Sequence, residues 1–283
     1  MKTKTKKKLA ITLAVVVALL VGADFSAAAI AEHQVSRKMR TQLKLAHAPA
    51  VRINGFPFLT QATSGDFHDV SIKAKGVRVD ELTEVGVRAH LYHARVSTSA
   101  LMAGKADELQ VDEVVGRLRL KASDIGRFIG IGDLNIAPAP ANALRDSSGG
   151  SDNSVTGSDS GSGSGSESGS DPSDPTETTI KLDGTVNIAS TDNHVQVIAT
   201  LSLVDGKLRI EPRELKLDNS AFGPIPLPDI FEQSVLDKFT TTLDPGQLPF
   251  TVTPTAVRAE HGALIVEGTA HEVKISPKGM STG

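Results

Sequence analysis

Histidines are the side chains in this chain best suited to metal binding or general acid–base chemistry, and the eight of them are dispersed. His90 and His93 are the closest pair, but a spacing of three within a strand directs them to opposite faces, so we expect no shared metal. The absence of Cys excludes disulfides, thiolate metal sites and a cysteine nucleophile. The H-E-x-x-H, G-x-S-x-G, P-loop and Rossmann glycine motifs are also missing. The sequence therefore predicts neither catalytic residues nor a metal or cofactor site.

The charge distribution argues against a nucleic-acid partner. The chain of 283 residues carries 30 basic and 33 acidic side chains, for a net charge of -3. Seven acidic residues and no Lys or Arg lie in residues 146–177, and five lysines lie among the first eight residues. The rest of the chain is close to neutral, unlike a protein that neutralises many phosphates.

The N-terminus has the pattern of an export segment. A lysine-rich start precedes the apolar run Leu9–Ala23, which ends at Asp24. Such lysines stay on the cytoplasmic side, so the body is sent to the outer, periplasmic side of the membrane. Fifteen helical residues span about 22 Å, less than the roughly 30 Å of a hydrocarbon core. The small residues Ala27–Ala29 offer a cleavage site, and the sequence leaves open whether residues 1–31 are a signal peptide or a retained anchor.

Two amphipathic helices are predicted, each ahead of strands. One runs from Ala28 to before Pro49, and the other from about Pro228 to Leu243. Their apolar stripes are Ala31, Val35, Met39 and Leu43 in the first, and Phe231, Val235, Phe239 and Leu243 in the second. The offset of 200 between the stripes indicates either an internal pseudo-repeat or the rhythm that all amphipathic helices share.

Most of the remaining chain predicts long strands, which gives an α+β fold class. Period-two alternation and turn residues predict strands at 70–75, 85–96, 111–120, 179–189, 194–204, 207–217, 250–259 and 263–275. Asp205-Gly206 and His261-Gly262 are predicted hairpin turns, and Ser123 is the predicted N-cap of a short helix. Turns that join neighbouring strands favour antiparallel sheets.

Residues 146–177 are low in complexity and contain a single Val as their only large apolar residue. Such a segment cannot offset its ordering entropy, so we predict a disordered Gly/Ser/Asp-rich insert. Its coil would span roughly 30 Å, enough to join two strands of one domain or to separate two domains. We favour one domain of about 220 residues whose halves are 32–145 and 178–283.

The most distinctive local pattern is V-x-I-x-G-F-P-F-L-T-Q over Val51–Gln61, followed by G-x-F-x-x-V-x-I over Gly65–Ile72. Together with the preceding helix and export segment, this pattern resembles the LmeA-like phospholipid-binding family of the actinobacterial cell envelope. The likeness covers about residues 25–145 and 178–275, and the insert departs from it. The resemblance implies a tubular lipid-binding (TULIP-like, BPI-like) fold, in which curved antiparallel sheets wrap around two amphipathic helices and enclose an apolar groove.

The resemblance also implies a non-enzymatic protein that binds phospholipid, including phosphatidylinositol, at a membrane surface in support of lipoglycan assembly. Six apolar residues are the candidate lipid contacts: Phe56, Phe58 and Leu59 at or near the groove, and Phe231, Val235 and Phe239 as deeper lining. Arg52, Lys73 and Arg88 are candidates for headgroup contact, with nothing to single one out. The same apolar residues would fill a dry core, so a structural adaptor without lipid is the alternative. An Asp at position 58 is expected to lower lipid uptake and to leave the fold intact.

Deletion of residues 148–174 is expected to leave the melting temperature nearly unchanged, because this part of the insert has almost no apolar surface to bury. Differential scanning calorimetry of the deleted and full-length proteins checks this expectation. A fall of many degrees would show that the insert packs against the body.

Overall fold

The structure is a computed structural model that describes residues 2–42, 44–79, 82–99, 109–139, 175–188, 191–217, 229–243, 252–276 and 279–282. Residues 146–174 of the predicted insert therefore lie outside the described residues. Pro175–Glu177, assigned to the insert from sequence, belong to the fold. The Pro175 carbonyl accepts a hydrogen bond from Val257 N–H at 2.8 Å, and the Thr176 carbonyl accepts one from Leu203 N–H at 2.9 Å.

Long antiparallel strands dominate the described part of the chain, and the helices are few. The helices are α1 (Lys2–Gln42), α2 (Phe58–Ser64), α3 (Ala122–Ile129) and α4 (Asp229–Phe239). The strands are β1 (Ala50–Asn54), β2 (Asp66–Val79), β3 (Leu82–Val96), β4 (Leu109–Lys121), β5 (Asn135–Pro138), β6 (Glu177–Ile188), β7 (Thr191–Val204), β8 (Lys207–Leu217), β9 (Thr241–Leu243), β10 (Thr253–Glu260), β11 (Ala263–Ser276) and β12 (Gly279–Thr282). The α+β class and the long antiparallel strands are confirmed.

The strands form two antiparallel sheets. The first has the order β1-β2-β3-β4-β11-β10, with β12 also paired to β11, and the second has the order β5-β6-β7-β8-β9. Strand β4 precedes the insert and β11 follows it, and the two pair along Leu109–Lys121 and Ala263–Ile275. Each sheet therefore contains strands from both sides of the insert, so the two halves of the chain are interleaved.

The sheets pack through a large apolar core. The first sheet contributes Val85, Leu118 and Leu264, and the second contributes Leu182 and Val197. Helix α4 adds Val235 and Phe239 to this core, which we call the inter-sheet core. Further along the same face of the first sheet lies a second apolar cluster, the distal cluster, which includes Leu91, Val114 and Val273.

Helix α1 is continuous across residue 31, where the sequence suggested a boundary between the export segment and the body. Its half-buried positions include Ala28, Ala31 and Met39. Val35, predicted for the same stripe, is instead 39% exposed. The packed face includes Ser36 because its hydroxyl donates to the Pro49 carbonyl at 2.5 Å.

Two local predictions are wrong. Helix α4 ends at Phe239 and not at Leu243, because the β-branched run Thr240–Thr242 favours extended backbone and Thr241–Leu243 pairs with β8. Ser123 does not cap α3, which begins one residue earlier. The Ala122 N–H is already bonded to the Gly262 carbonyl at 2.9 Å.

Asp124 ties α3 to the β2–β3 hairpin and is only 3% exposed. Its carboxylate accepts hydrogen bonds from Thr83 N–H at 2.9 Å and Glu84 N–H at 2.8 Å, and it also pairs with Arg127. Burial raises the pKa of Asp124, but these hydrogen bonds and the guanidinium charge outweigh it, so the pKa lies below its ordinary value.

Replacement of Asp124 by Ala is expected to lower the free energy of unfolding at pH 7 by about 1–3 kcal/mol, because two part-buried N–H donors lose their acceptor. Since the folded-state pKa is lowered, this stabilisation is present above the ordinary value of 3.8 and is lost as pH falls through the folded value. Urea titrations at neutral pH and about pH 3 should show the wild type converging on the variant. Asp112→Ala, which removes an exposed carboxylate paired with Arg95, is the control and should cost less than about 1 kcal/mol. A constant difference across pH would contradict the assignment.

Candidate functional site

A row of small residues crosses the inner face of the first sheet, the face that packs against the second sheet. Ala89, Gly116 and Gly268 lie opposite one another on β3, β4 and β11, and Ile72 continues the row on β2 as its one large side chain. Glycine in a strand interior leaves room for close approach of another group. The face therefore has a shallow depression along this row, with larger side chains on both sides of it.

An apolar pocket lies at this row, and we call it the inner-face pocket. The enclosed space is about 20 Å³, room for about one water molecule, and the rest of the pocket is open to solvent. Its lining includes Val87, Ala89, Gly116, Leu118, Val252 and Pro254. The pocket lies between the inter-sheet core and the distal cluster, because Val87 and Leu118 belong to the first and Ala89 belongs to the second.

The two glycines of the pocket have different roles. A Cβ at Gly116 would lie 3.6 Å from Val252 Cγ1, an ordinary van der Waals contact. A Cβ at Gly268 would lie 2.6 Å from the Thr253 carbonyl oxygen, which is too close for any side chain. Gly268 therefore lets the start of β10 approach the sheet, and Gly116 leaves room for about one Cβ atom beneath Val252.

The structure places the predicted lipid contacts at the two ends of the inner face and not around the pocket. Val235 and Phe239 are 1% and 0% exposed in the inter-sheet core. Phe58 is 7% exposed, and its ring lies 6.2 Å from that of Phe67, which packs on the distal cluster. Phe231 lies on α4, but its side chain is outside the described residues. Lipid contact by these residues remains a prediction.

Phe56 and Leu59, the other two predicted contacts, are 61% and 44% exposed. Phe25 of α1 is 63% exposed, and its ring stacks on that of Phe56 at a centroid distance of 6.0 Å. We call Phe25, Phe56 and Leu59 the apolar tip. It is an exposed surface at the end of β1, separate from the pocket.

Of the three cationic residues considered for a headgroup, Arg88 is among the residues that line the pocket, whereas Arg52 and Lys73 are not. Lys73 and Arg88 are exposed and alternate along their strands with the inward-facing Ile72 and Ala89. Since neighbouring strand residues point to opposite faces, the side chains of Lys73 and Arg88 project from the outer face of the sheet. Arg52 is likewise exposed beside the buried Val51.

The histidine argument from sequence does not hold in its original form. His93 has a φ of 50° and is skipped in the pairing of β3 with β4, so the regular alternation of β3 is interrupted after His90. The two rings meet different carboxylates, His90 with Asp69 at 3.2 Å and His93 with Asp66 at 3.4 Å. In the described ranges, no group of three His, Asp or Glu residues is placed to hold a metal ion.

A family model described as LmeA-like phospholipid-binding matches residues 22–269 of the 283-residue chain. The chain belongs to this family. No curated protein matches it significantly. No solved structure matches it significantly. Membership indicates phospholipid binding, and the matched region includes the pocket, the apolar tip and the second half of α1.

Sequence reasoning missed Gly116 and Gly268, although a signal for them was present. In this family member both glycines interrupt runs of strand-forming residues, V-V-G-R-L and V-E-G-T-A, where a side chain would strengthen the strand. Such glycines often mark a close backbone approach or a ligand. Their alignment across β4 and β11 needed the structure, since 152 positions separate them in sequence.

The two phenylalanines of the F-P-F motif are expected to contribute differently to stability. Phe58→Ala should lower the free energy of unfolding by about 3–5 kcal/mol, because a buried ring is lost. Phe56→Ala should cost about 1 kcal/mol or less, the value of one exposed aromatic pair. Denaturant titration of the two variants measures this. For the same reason, an Asp at position 58 would disturb the fold and cannot report on lipid uptake alone. Equal losses at both positions would contradict the burial described above.

Proposed function

We propose that this family member binds a phospholipid on the outer side of the cytoplasmic membrane, with an acyl chain entering at the inner-face pocket. The observation that carries the proposal is an apolar pocket at the small-residue row, in a chain whose family binds phospholipid. Support of envelope lipid or lipoglycan assembly is the corresponding biological role, and phosphatidylinositol is the headgroup to test first.

The energetics of lipid binding explain why an apolar pocket matters more than a charged one. Each buried CH₂ contributes about 0.8 kcal/mol, so two acyl chains represent more than about 20 kcal/mol of apolar transfer. A lipid leaves the bilayer only if the protein replaces most of that burial. The distal cluster supplies partly buried apolar neighbours for this purpose, among them Met39, Phe67, Val70 and Val252.

On this proposal the two sheets form the wall of a tubular lipid-binding fold. The strands that support it are long, up to 15 residues in β3, and long twisted antiparallel strands can curve around a ligand. Helix α4 closes the inter-sheet end, and the second half of α1 lies against β1 and α2 at the other.

The location is supported by the N-terminal segment. The part of α1 over Lys6–Gln42 is long and apolar enough to cross a membrane, and only 6% of its apolar 18-residue stretch is buried. A signal sequence near an N-terminus has the same properties. The lysines that precede it favour the cytoplasmic side. The folded body would then lie outside the membrane.

A non-catalytic adaptor role is the second candidate, and one observation favours it. The inter-sheet core is filled, with Phe239, Val197 and Leu201 all at 0% exposure. A filled core supports a rigid surface, and a rigid surface is all that an adaptor without a ligand requires.

Native mass spectrometry of gently purified protein tests lipid binding, with phosphatidylinositol vesicles as the lipid source. We expect wild-type protein to carry phospholipid and Gly116→Val to carry several-fold less, because the added methyl groups occupy the pocket beneath Val252. Gly86→Val is the matched control. It makes the same change on β3 but toward the outer face, where a Cβ would lie 3.5 Å from Arg119 Cβ.

The outcomes separate the two candidates. Equal lipid on both variants would remove the pocket from the site while leaving lipid binding intact. A wild-type protein that carries no lipid and takes none from vesicles would overturn the proposal and favour the adaptor role.

A further inference from the structure

Asp24 is a buried carboxylate within the apolar half of α1. Its side chain is 5% exposed, and both carboxylate oxygens accept backbone hydrogen bonds, from Phe58 N–H at 2.8 Å and Leu59 N–H at 2.8 Å. These N–H groups open α2, whose N-cap residue Pro57 provides no side-chain cap. Asp24 therefore caps α2 from 34 residues away in sequence, so the charge has a structural role in the body.

Three further contacts attach the second half of α1 to the same region. The Glu32 carboxylate accepts a hydrogen bond from Ile53 N–H at 2.8 Å, Ser36 bonds the Pro49 carbonyl, and Met39 packs on the distal cluster. From Asp24 to Met39 the helix rises about 22 Å. Removal of the residues before the Ala27–Ala29 run would take away Asp24 and Phe25 and leave the first N–H groups of α2 without their acceptor.

The apolar tip lies where α1 would leave a membrane. Large apolar side chains from Leu9 to Leu20 are 47–71% exposed, as expected for a helix surrounded by lipid. The run Leu9–Ala23 is about 8 Å shorter than the hydrocarbon core, so the core would reach about five residues past Ala23. That depth includes Phe25 and, through its ring stack, Phe56.

We propose that α1 is retained as a membrane anchor and that the apolar tip is seated in the outer leaflet of the bilayer. Exposed Phe and Leu side chains insert about 5–10 Å into the boundary between headgroups and acyl chains. The occupant of this surface is the bilayer because the tip continues directly from an exposed apolar helix and is held to it by Asp24 and the Phe25–Phe56 stack. This inference does not depend on lipid binding at the inner-face pocket.

Intact-mass measurement of protein extracted from host membranes, expressed with its own N-terminus, tests retention. We expect the mass of the full chain, close to 29.7 kDa. A mass that lacks the residues before the Ala27–Ala29 run would overturn the proposal.

Site-specific fluorescence tests the position of the tip, and the absence of native Cys makes single labelling direct. The full chain with Phe56→Cys, labelled with an environment-sensitive fluorophore, is reconstituted in phosphatidylcholine–phosphatidylglycerol vesicles that contain chain-brominated lipid. Val204→Cys is the control, since it is also exposed, at 42%, but lies at the β7–β8 turn.

We expect quenching at position 56 to be several-fold stronger than at position 204. Leu59→Cys provides a second probe of the tip if labelling at position 56 disturbs folding, which the melting temperature would show. Quenching at the tip no stronger than at position 204 would overturn the proposal. Loss of vesicle contact is distinct from loss of bound lipid, because the latter is read from native mass spectrometry of the same protein.

Discussion

The pairing of β4 with β11 is the contact on which the rest of the structure depends. It joins residues that lie on opposite sides of the insert, along 12 cross-strand pairs from Ala263–Lys121 to Ile275–Leu109. This ladder places Gly116 opposite Gly268 and so creates the depression along the small-residue row of the inner face. It also connects β1–β3 to β10 and β12, so neither side of the chain can form the first sheet alone. The inner-face pocket is thus a product of long-range pairing.

The elements were more predictable from sequence than their arrangement. Period-two alternation and Asp-Gly chemistry identified the β7–β8 hairpin, where Asp205 and Gly206 have φ of 51° and 75° as a tight turn requires. The F-P-F motif was recognised as distinctive, but which ring is buried depends on α1, which packs there from a distant part of the chain. Local pattern carries no information on such partners, and this is why Phe56 and Phe58 were grouped together.

Asp24 shows that an interpretation from composition alone can be misleading. After an apolar run, an Asp indicates the end of a hydrophobic segment, because a charge is costly in lipid. In the structure it is compensated by two backbone N–H donors, and the helix continues through it without interruption. The residue that marks the end of the apolar run by composition is therefore the residue that connects this run to the body.

The start of β10 is the part of the inner-face pocket whose displacement requires the least free energy. This strand lies at the edge of the first sheet, and its pairing with β11 is irregular between Pro254 and Ala256. Pro254 has no N–H to contribute to the ladder, so this end of the strand has one hydrogen-bond donor fewer. Displacement of Val252 would uncover Gly116 and open the pocket toward the distal cluster. In contrast, widening the inter-sheet core would require separation of two sheets packed through fully buried side chains, such as Leu201 and Leu264. On the proposed function, an acyl chain would therefore meet a lower cost of entry at the edge strand than between the sheets.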